Sequence, residues 1–203
     1  MSLTGTKLVG DNPERGRVEN DYYATPFNAT EALLNALNES GETLSSDTIL
    51  EPSAGEGHIV KVLKDFYPYN EIVANDIAYR GSRLGIDVNG GIDFLNYEPH
   101  RKYDTIITNP PFALAQEFIE KALTLTNRRV IMFAKIQLLE GDKRRKMFDN
   151  SPLKYVYVFS KRINPLRNGE ATDENGKPWA STMCFAWFVW DLEYEGEPII
   201  RWL

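Results

Sequence analysis

Apolar positions in this chain fall into two rhythms that alternate. Short β-branched or aromatic runs occur at Thr48-Ile49-Leu50, at 72–76, 103–108, 130–133 and 155–159, and at 183–191. Such runs, bounded by turn residues, predict buried strands. Between them lie segments with apolar residues three and four apart, the spacing of one helix face. The first starts from about Thr30, which can cap it, and carries Leu33, Leu34 and Leu37. The second carries Ile59, Val60, Val62 and Leu63, and the third covers 113–125 with Leu114, Phe118, Ile119 and Ala122. Residues 141–149 form a basic fourth helix, and 199–203 a final edge strand. Strand and helix alternate to about residue 150, and paired strands follow. The order predicts an α/β fold, a mostly parallel central sheet with helices on both faces and an antiparallel edge hairpin. Trp187 and Trp190 read as core and edge packing.

Two stretches lack either rhythm. Residues 1–20 are polar with scattered Gly and Pro and read as a flexible arm. Residues 160–181, rich in Gly, Asn and Pro, read as a long exposed loop, and loops of that length in a compact domain are functional or disordered. The remainder, 21–203, has the size of one domain.

Composition narrows the setting. The longest apolar run, Met183 to Trp190, is far short of the roughly 20 residues a membrane helix needs, so no membrane association is expected. The start has no apolar signal segment, and the single Cys184 has no internal partner, which together suit a reducing cytoplasm. Cys184 sits in the apolar run and reads as a small buried hydrophobe. His58 and His100 have no metal-ligand spacing around them, so no metal is expected. A net charge of −6 argues mildly against a nucleic-acid partner. Locally, Lys143, Arg144, Arg145 and Lys146 stand together, and Lys161 and Arg162 open the long loop. Each cluster taken alone reads first as a solvated face or loop, with a phosphate contact as the alternative.

Three motifs carry candidate chemistry. Glu51-Pro52-Ser53-Ala54-Gly55-Glu56-Gly57 lies between a strand and a helix. There glycines allow close backbone approach, and the helix N-terminus leaves free N–H groups for a ligand. The next strand ends at Asp76, about 20 residues after the glycine turn, where an acid can accept from ribose hydroxyls. The strand at 103–108 runs into Asn109-Pro110-Pro111-Phe112, where neither proline can continue a ladder. That tetrapeptide presents the Asn109 side-chain carbonyl, the Pro110 backbone carbonyl and the flat face of Phe112, a set that suits a planar group bearing an NH2. By itself it reads equally as a proline turn with Phe112 in the core.

In their order and distances these motifs resemble the Rossmann-like amino-methyltransferases that use S-adenosylmethionine, in particular the small phage-type N6-adenine DNA methyltransferases. The resemblance runs from about Tyr22 to Phe133. It implies that Glu51, Pro52, Ala54, Gly55 and Gly57 hold the methionine end of the cofactor and Asp76 its ribose. It further implies that Asp93 and Phe94 contact its adenine and that Thr25 and Pro26 form the N-terminal Thr-Pro element. Asn109, Pro110, Pro111 and Phe112 then correspond to the catalytic loop, with DNA as partner. Phosphate contacts would come from Lys143, Arg144, Arg145, Lys146, Lys161 and Arg162. The same loop suits an RNA base or a protein glutamine amide, and a cofactor-binding module without turnover is the alternative outside enzymes. Recognition sequence and oligomeric state are not legible in the sequence.

Overall fold

A computed structural model describes residues 22–177 and 183–203. The expected arm and part of the long loop lie outside the described residues. In chain order the elements are β1 (Tyr23–Ala24), α1 (Phe27–Glu39), β2 (Ile49–Glu51), α2 (His58–Phe66), β3 (Ile72–Ala74) and β4 (Tyr103–Thr108). They continue with α3 (Ala115–Leu125), β5 (Thr126–Lys135), α4 (Asp142–Asp149), β6 (Leu153–Val158), β7 (Leu166–Arg167), β8 (Phe185–Asp191) and β9 (Ile199–Trp202).

Seven strands form one sheet in the order β3-β2-β4-β5-β8-β6-β9. The pairs from β3 to β5 are parallel, β8 runs antiparallel to both β5 and β6, and β9 is parallel to β6. Strand side chains alternate between two covered faces, which is why β8 is apolar almost throughout and β4 is buried at five of its six positions. On one face Ile107, Ile131, Phe133, Trp187 and Val189 pack with Leu33, Leu34 and Leu37 of α1 and Ile59, Val62 and Leu63 of α2. On the other, Ile106, Val130, Met132, Phe188 and Trp190 pack with Phe118, Ile119 and Ala122 of α3 and Met147 of α4. Both tryptophans are fully buried. Their indole N–H groups donate to the Ala29 carbonyl at 2.9 Å and to Ser151 Oγ at 3.0 Å.

Local expectations needed three corrections. Helix α1 begins at Phe27 with Pro26 as N-cap, and Thr30 lies inside it, buried, with its hydroxyl unpartnered. Proline's fixed φ ends the preceding segment four residues earlier than a Thr30 cap would. Residues Phe112–Leu114 form a 3-10 turn, so the regular helix starts only at Ala115. Cys184 lies just before β8 and is exposed, because the strand starts one residue later at Phe185.

A second, two-stranded ribbon pairs β1 with β7 antiparallel, Tyr23 opposite Arg167 and Ala24 opposite Leu166. The long loop therefore holds regular structure among its described residues and is tied to the segment that precedes α1.

Candidate active site

The chain passes from β2 to β3 on one side of the sheet and then returns to place β4 on the other side of β2. Ligands of open α/β sheets bind at the carboxyl ends of the strands where the order reverses in this way. Here those ends deliver Asp76 and Asn109 to one cleft, with Glu51 buried at the end of β2. Its lining includes Pro52, Ser53, Ala54, His58, Asp76, Asp93, Phe94, Asn109 and Pro111, with Tyr22, Tyr23 and Thr25 on the opposite wall.

The turn after β2 is built by backbone constraints. Gly55 has φ +60° and Gly57 φ +89°, conformations that L side chains rarely adopt. Side-chain space is closed as well. A Cβ at Gly57 would lie 2.7 Å from Ile86 Cβ, and one at Gly55 would lie 2.3 Å from Tyr22 Cε2. Both glycines thus serve packing within the protein, and their residues are absent from the cleft lining, while Pro52, Ser53 and Ala54 face it. Asp76 fixes the turn from below. One carboxylate oxygen accepts from Gly55 N–H at 2.8 Å, the other from Ala78 N–H at 2.8 Å.

Glu51 is fully buried beneath the turn, and its Oε2 has no hydrogen-bond partner. Burial first, and the negative charge of Asp76 second, hold its carboxyl well above the ordinary carboxylate range. Thr25 is also buried, with Oγ1 unpartnered, and it lines the cleft, whereas Pro26 lies beside it as the α1 cap.

At the other end of the cleft the surroundings are apolar. Ile77, Ile92, Leu114 and Phe118 line it with Phe94, whose ring packs on Phe118 at 5.0 Å. Asp93 is exposed at its rim, where one carboxylate oxygen accepts from Leu95 N–H at 3.1 Å and the other from Asn96 Nδ2 at 2.6 Å.

Asn109 is held from both sides. Its side-chain NH2 donates to the Tyr23 carbonyl at 2.7 Å, leaving Oδ1 as the acceptor. Its backbone carbonyl accepts from Ser53 Oγ at 3.0 Å, and Ser53 shares a second hydrogen bond with Thr108 Oγ1 at 2.8 Å. The loop after β2 and the loop after β4 are therefore latched together. Pro110 is buried and Pro111 lines the cleft. Phe112 is turned away from the lining. It stacks on Tyr23 at 5.5 Å, meets Phe185 at 5.6 Å, and carries Lys135 Nζ 4.4 Å from its centroid.

The basic clusters lie elsewhere. Lys143 and Lys146 border a groove between α3 and α4 with Gln116, Glu120 and Asn150. Arg144 donates to the Gln137 and Glu140 carbonyls, and Arg145 pairs with Asp149 at 3.4 Å on the same helix. Lys161 and Arg162 are exposed just after β6.

Sequence reasoning passed over several residues of the cleft. Tyr22 lies across Gly55, accepts from Glu56 N–H at 3.3 Å, donates to the Glu56 carboxylate at 3.2 Å, and has Arg80 4.2 Å above its ring. Burial and Glu56 push its hydroxyl pKa upward. Ser53 and His58 were likewise missed, although both stand inside or next to the glycine turn. The Tyr22-Tyr23 pair directly before Thr25-Pro26 was the available signal for the opposite wall.

No family model and no curated protein matches the sequence, but solved structures match the fold. One is a protein assigned to the class I S-adenosylmethionine-dependent methyltransferases from Listeria monocytogenes, with TM-score 0.67 and 13% identity over 94% of this chain and 68% of that one. Another, assigned as an RNA methyltransferase from Pyrococcus horikoshii, has TM-score 0.64 and 16% identity over 85% and 88%. A third is the type I restriction-modification methyltransferase subunit from Streptococcus thermophilus, with TM-score 0.65 and 10% identity over 88% of this chain and 47% of that one. The chain thus has the Rossmann-like fold of class I S-adenosylmethionine-dependent methyltransferases, and it spans less than half of the restriction-modification subunit.

Proposed function

We propose that this protein transfers a methyl group from S-adenosylmethionine to a planar amino group, with the N6 amino group of adenine in DNA as the preferred acceptor. The observation that carries the reading is the double anchoring of Asn109 at the strand-order reversal. With its NH2 committed to Tyr23, the side chain offers only its carbonyl to an incoming N–H.

The donor set around the cleft fits the cofactor. Buried, unpartnered atoms of Thr25 and Glu51 suit the charged amino-acid end, and each Asp76 oxygen keeps a lone pair for ribose hydroxyls. Phe94, Ile77 and Ile92 offer an apolar slot for a flat base. When bound, S-adenosylmethionine supplies an electrophilic methyl group. The residues of this chain do the positioning. An exocyclic amine is a weak nucleophile because its lone pair is delocalised into the ring. Hydrogen bonds from its N–H groups to Asn109 Oδ1 and the Pro110 carbonyl localise that pair and aim it. No nucleophilic side chain is needed.

A duplex base must be extruded to reach such a loop, at a cost of a few kcal/mol, and stacking on an aromatic recovers about 1–3 kcal/mol. In this structure Phe112 is stacked on Tyr23, so a base would replace or extend that stack. The restriction-modification neighbour supports DNA, and Lys143 and Lys146 in their groove offer phosphate contacts. The RNA methyltransferase neighbour supports an RNA base as the second reading, and the net charge of −6 favours a protein amide over either nucleic acid.

Transfer of labelled methyl from S-adenosylmethionine to DNA, RNA and protein, with Asn109→Ala as control, tests the assignment. Label is expected in DNA and lost in the variant. Label in RNA or protein alone overturns the DNA substrate, and an active variant overturns the role of Asn109.

A further inference from the structure

Besides Thr25 and Glu51, two further side chains that line the cleft have a buried polar atom without a partner, Arg80 at Nε over Tyr22 and, next to the glycine turn itself, His58 at Nδ1. Leaving a buried polar nitrogen unsatisfied is costly in a folded protein unless a ligand completes it. His58 is only 5% exposed, yet it lines the cleft. It is the first residue of α2, directly after Gly57, so it stands among the N–H groups that open that helix.

The ring is held in place. It stacks on Phe27 at 5.2 Å with 23° between planes, and a Cβ on Gly169 of the long loop would come within 3.6 Å of its Cε1. Burial lowers its pKa, so the imidazole is neutral near pH 7 and carries a single ring N–H. Which end of the cleft it occupies decides the ligand group. The flat-base slot of Ile77, Ile92 and Phe94 and the Asp76 carboxylate belong to the nucleoside end. His58 opens α2 and stacks on Phe27, two residues after Thr25, so both stand where the positive end of α2 favours an anion. Glu51, at the end of β2, keeps an unpartnered carboxyl oxygen that can accept from an ammonium.

We propose that His58 Nδ1 donates a hydrogen bond to the carboxylate at the amino-acid end of S-adenosylmethionine, with Thr25 Oγ1 as the second donor. This rests on the cofactor reading above and adds a residue that positions the cofactor through its carboxylate.

Calorimetric titration with S-adenosylhomocysteine and with methylthioadenosine, which keeps the nucleoside and lacks the amino acid, separates the possibilities. His58→Phe keeps a ring against Phe27 and removes the donor. It is expected to weaken S-adenosylhomocysteine about 10-fold or more, the scale of a hydrogen bond to a charged group, and to leave methylthioadenosine within about 2-fold. His58→Asn, whose amide nitrogen falls where Nδ1 lies, should restore most of the affinity, and His58→Gln, which mimics the far ring nitrogen, should not. Unchanged S-adenosylhomocysteine binding in His58→Phe, or equal loss of both ligands, overturns the proposal. Should that variant not fold, wild-type protein decides. There an analogue with hydrogen in place of the carboxylate should bind about 10-fold more weakly, and equal binding overturns the assignment. Wild-type protein that binds neither nucleoside overturns the cofactor reading itself.

Discussion

The Asn109 side-chain amide donates to the Tyr23 carbonyl across 2.7 Å, joining the end of β4 to a two-residue strand 86 positions earlier. That strand is itself paired with Leu166–Arg167, so the orientation of one amide depends on three distant segments. Asn109→Ala should therefore lower methyl transfer by about 100-fold, the scale for removing one positioned polar group in a reacting site. Asn109→Asp should fail as badly, since a carboxylate cannot donate to Tyr23. Single-turnover rates with saturating cofactor check both.

Gly55 and Tyr22 are coupled sterically. A Cβ at 55 would lie 2.3 Å from the Tyr22 ring, on a backbone with φ +60°. Gly55→Ala is expected to destabilise the fold by about 1–3 kcal/mol from strain and overlap together. In Tyr22→Ala the same change should cost less, because only the backbone part remains. Urea unfolding of the two single variants and the double variant measures the difference, and strictly additive effects would show that the two residues do not act on each other.

Glu51 gives a pH dependence of stability. Burial and Asp76 raise its folded-state pKa above the unfolded value, so at intermediate pH the folded protein holds a proton that the unfolded chain has released. Stability from this group is complete below the ordinary carboxylate pKa and declines as pH rises toward the folded value. Glu51→Gln should flatten that decline. Unfolding midpoints measured from about pH 4 to about pH 8 should show the variant gaining on the wild type as pH rises.

Cys184 is exposed just before β8, so a thiol reagent should modify it stoichiometrically in the native protein without denaturant. Protection until unfolding would return it to the core, where its apolar neighbours in the sequence had placed it.

Lys143 and Lys146 border the groove between α3 and α4, where they can reach a phosphate backbone. Replacing both by Ala should weaken duplex DNA binding and reduce the salt slope, by about 0.9 for each phosphate no longer neutralised. Replacing Arg145, which pairs with Asp149 on its own helix, should change the slope less. Binding titrations over a range of salt concentrations measure both slopes.

Much of this protein was legible locally. The strand at Tyr103–Thr108, the helix at Ala115–Leu125 and the apolar run over β8 follow from the apolar pattern, because buried strands and helix faces impose their spacing on the sequence itself. The glycine turn, Asp76 and Asn109 were recognisable for a similar reason, since a positive φ, a strand-tip acid and a proline-stiffened loop each demand particular residue types. Tertiary structure decided how those pieces are used. It gave both Asp76 oxygens to backbone N–H groups, turned Phe112 onto Tyr23, and closed the glycines with Tyr22 and Ile86. It also committed Arg144 to carbonyls near its own helix and placed His58 at the cleft with an unpaired nitrogen. Most of these depend on residues tens of positions apart, and a one-dimensional pattern carries no information on which distant group arrives at a given atom. The sequence by itself determined the elements and the chemical types at the strand ends. Only the packing of β1, the long loop and the sheet decided which of those groups already have partners and which still face the cleft.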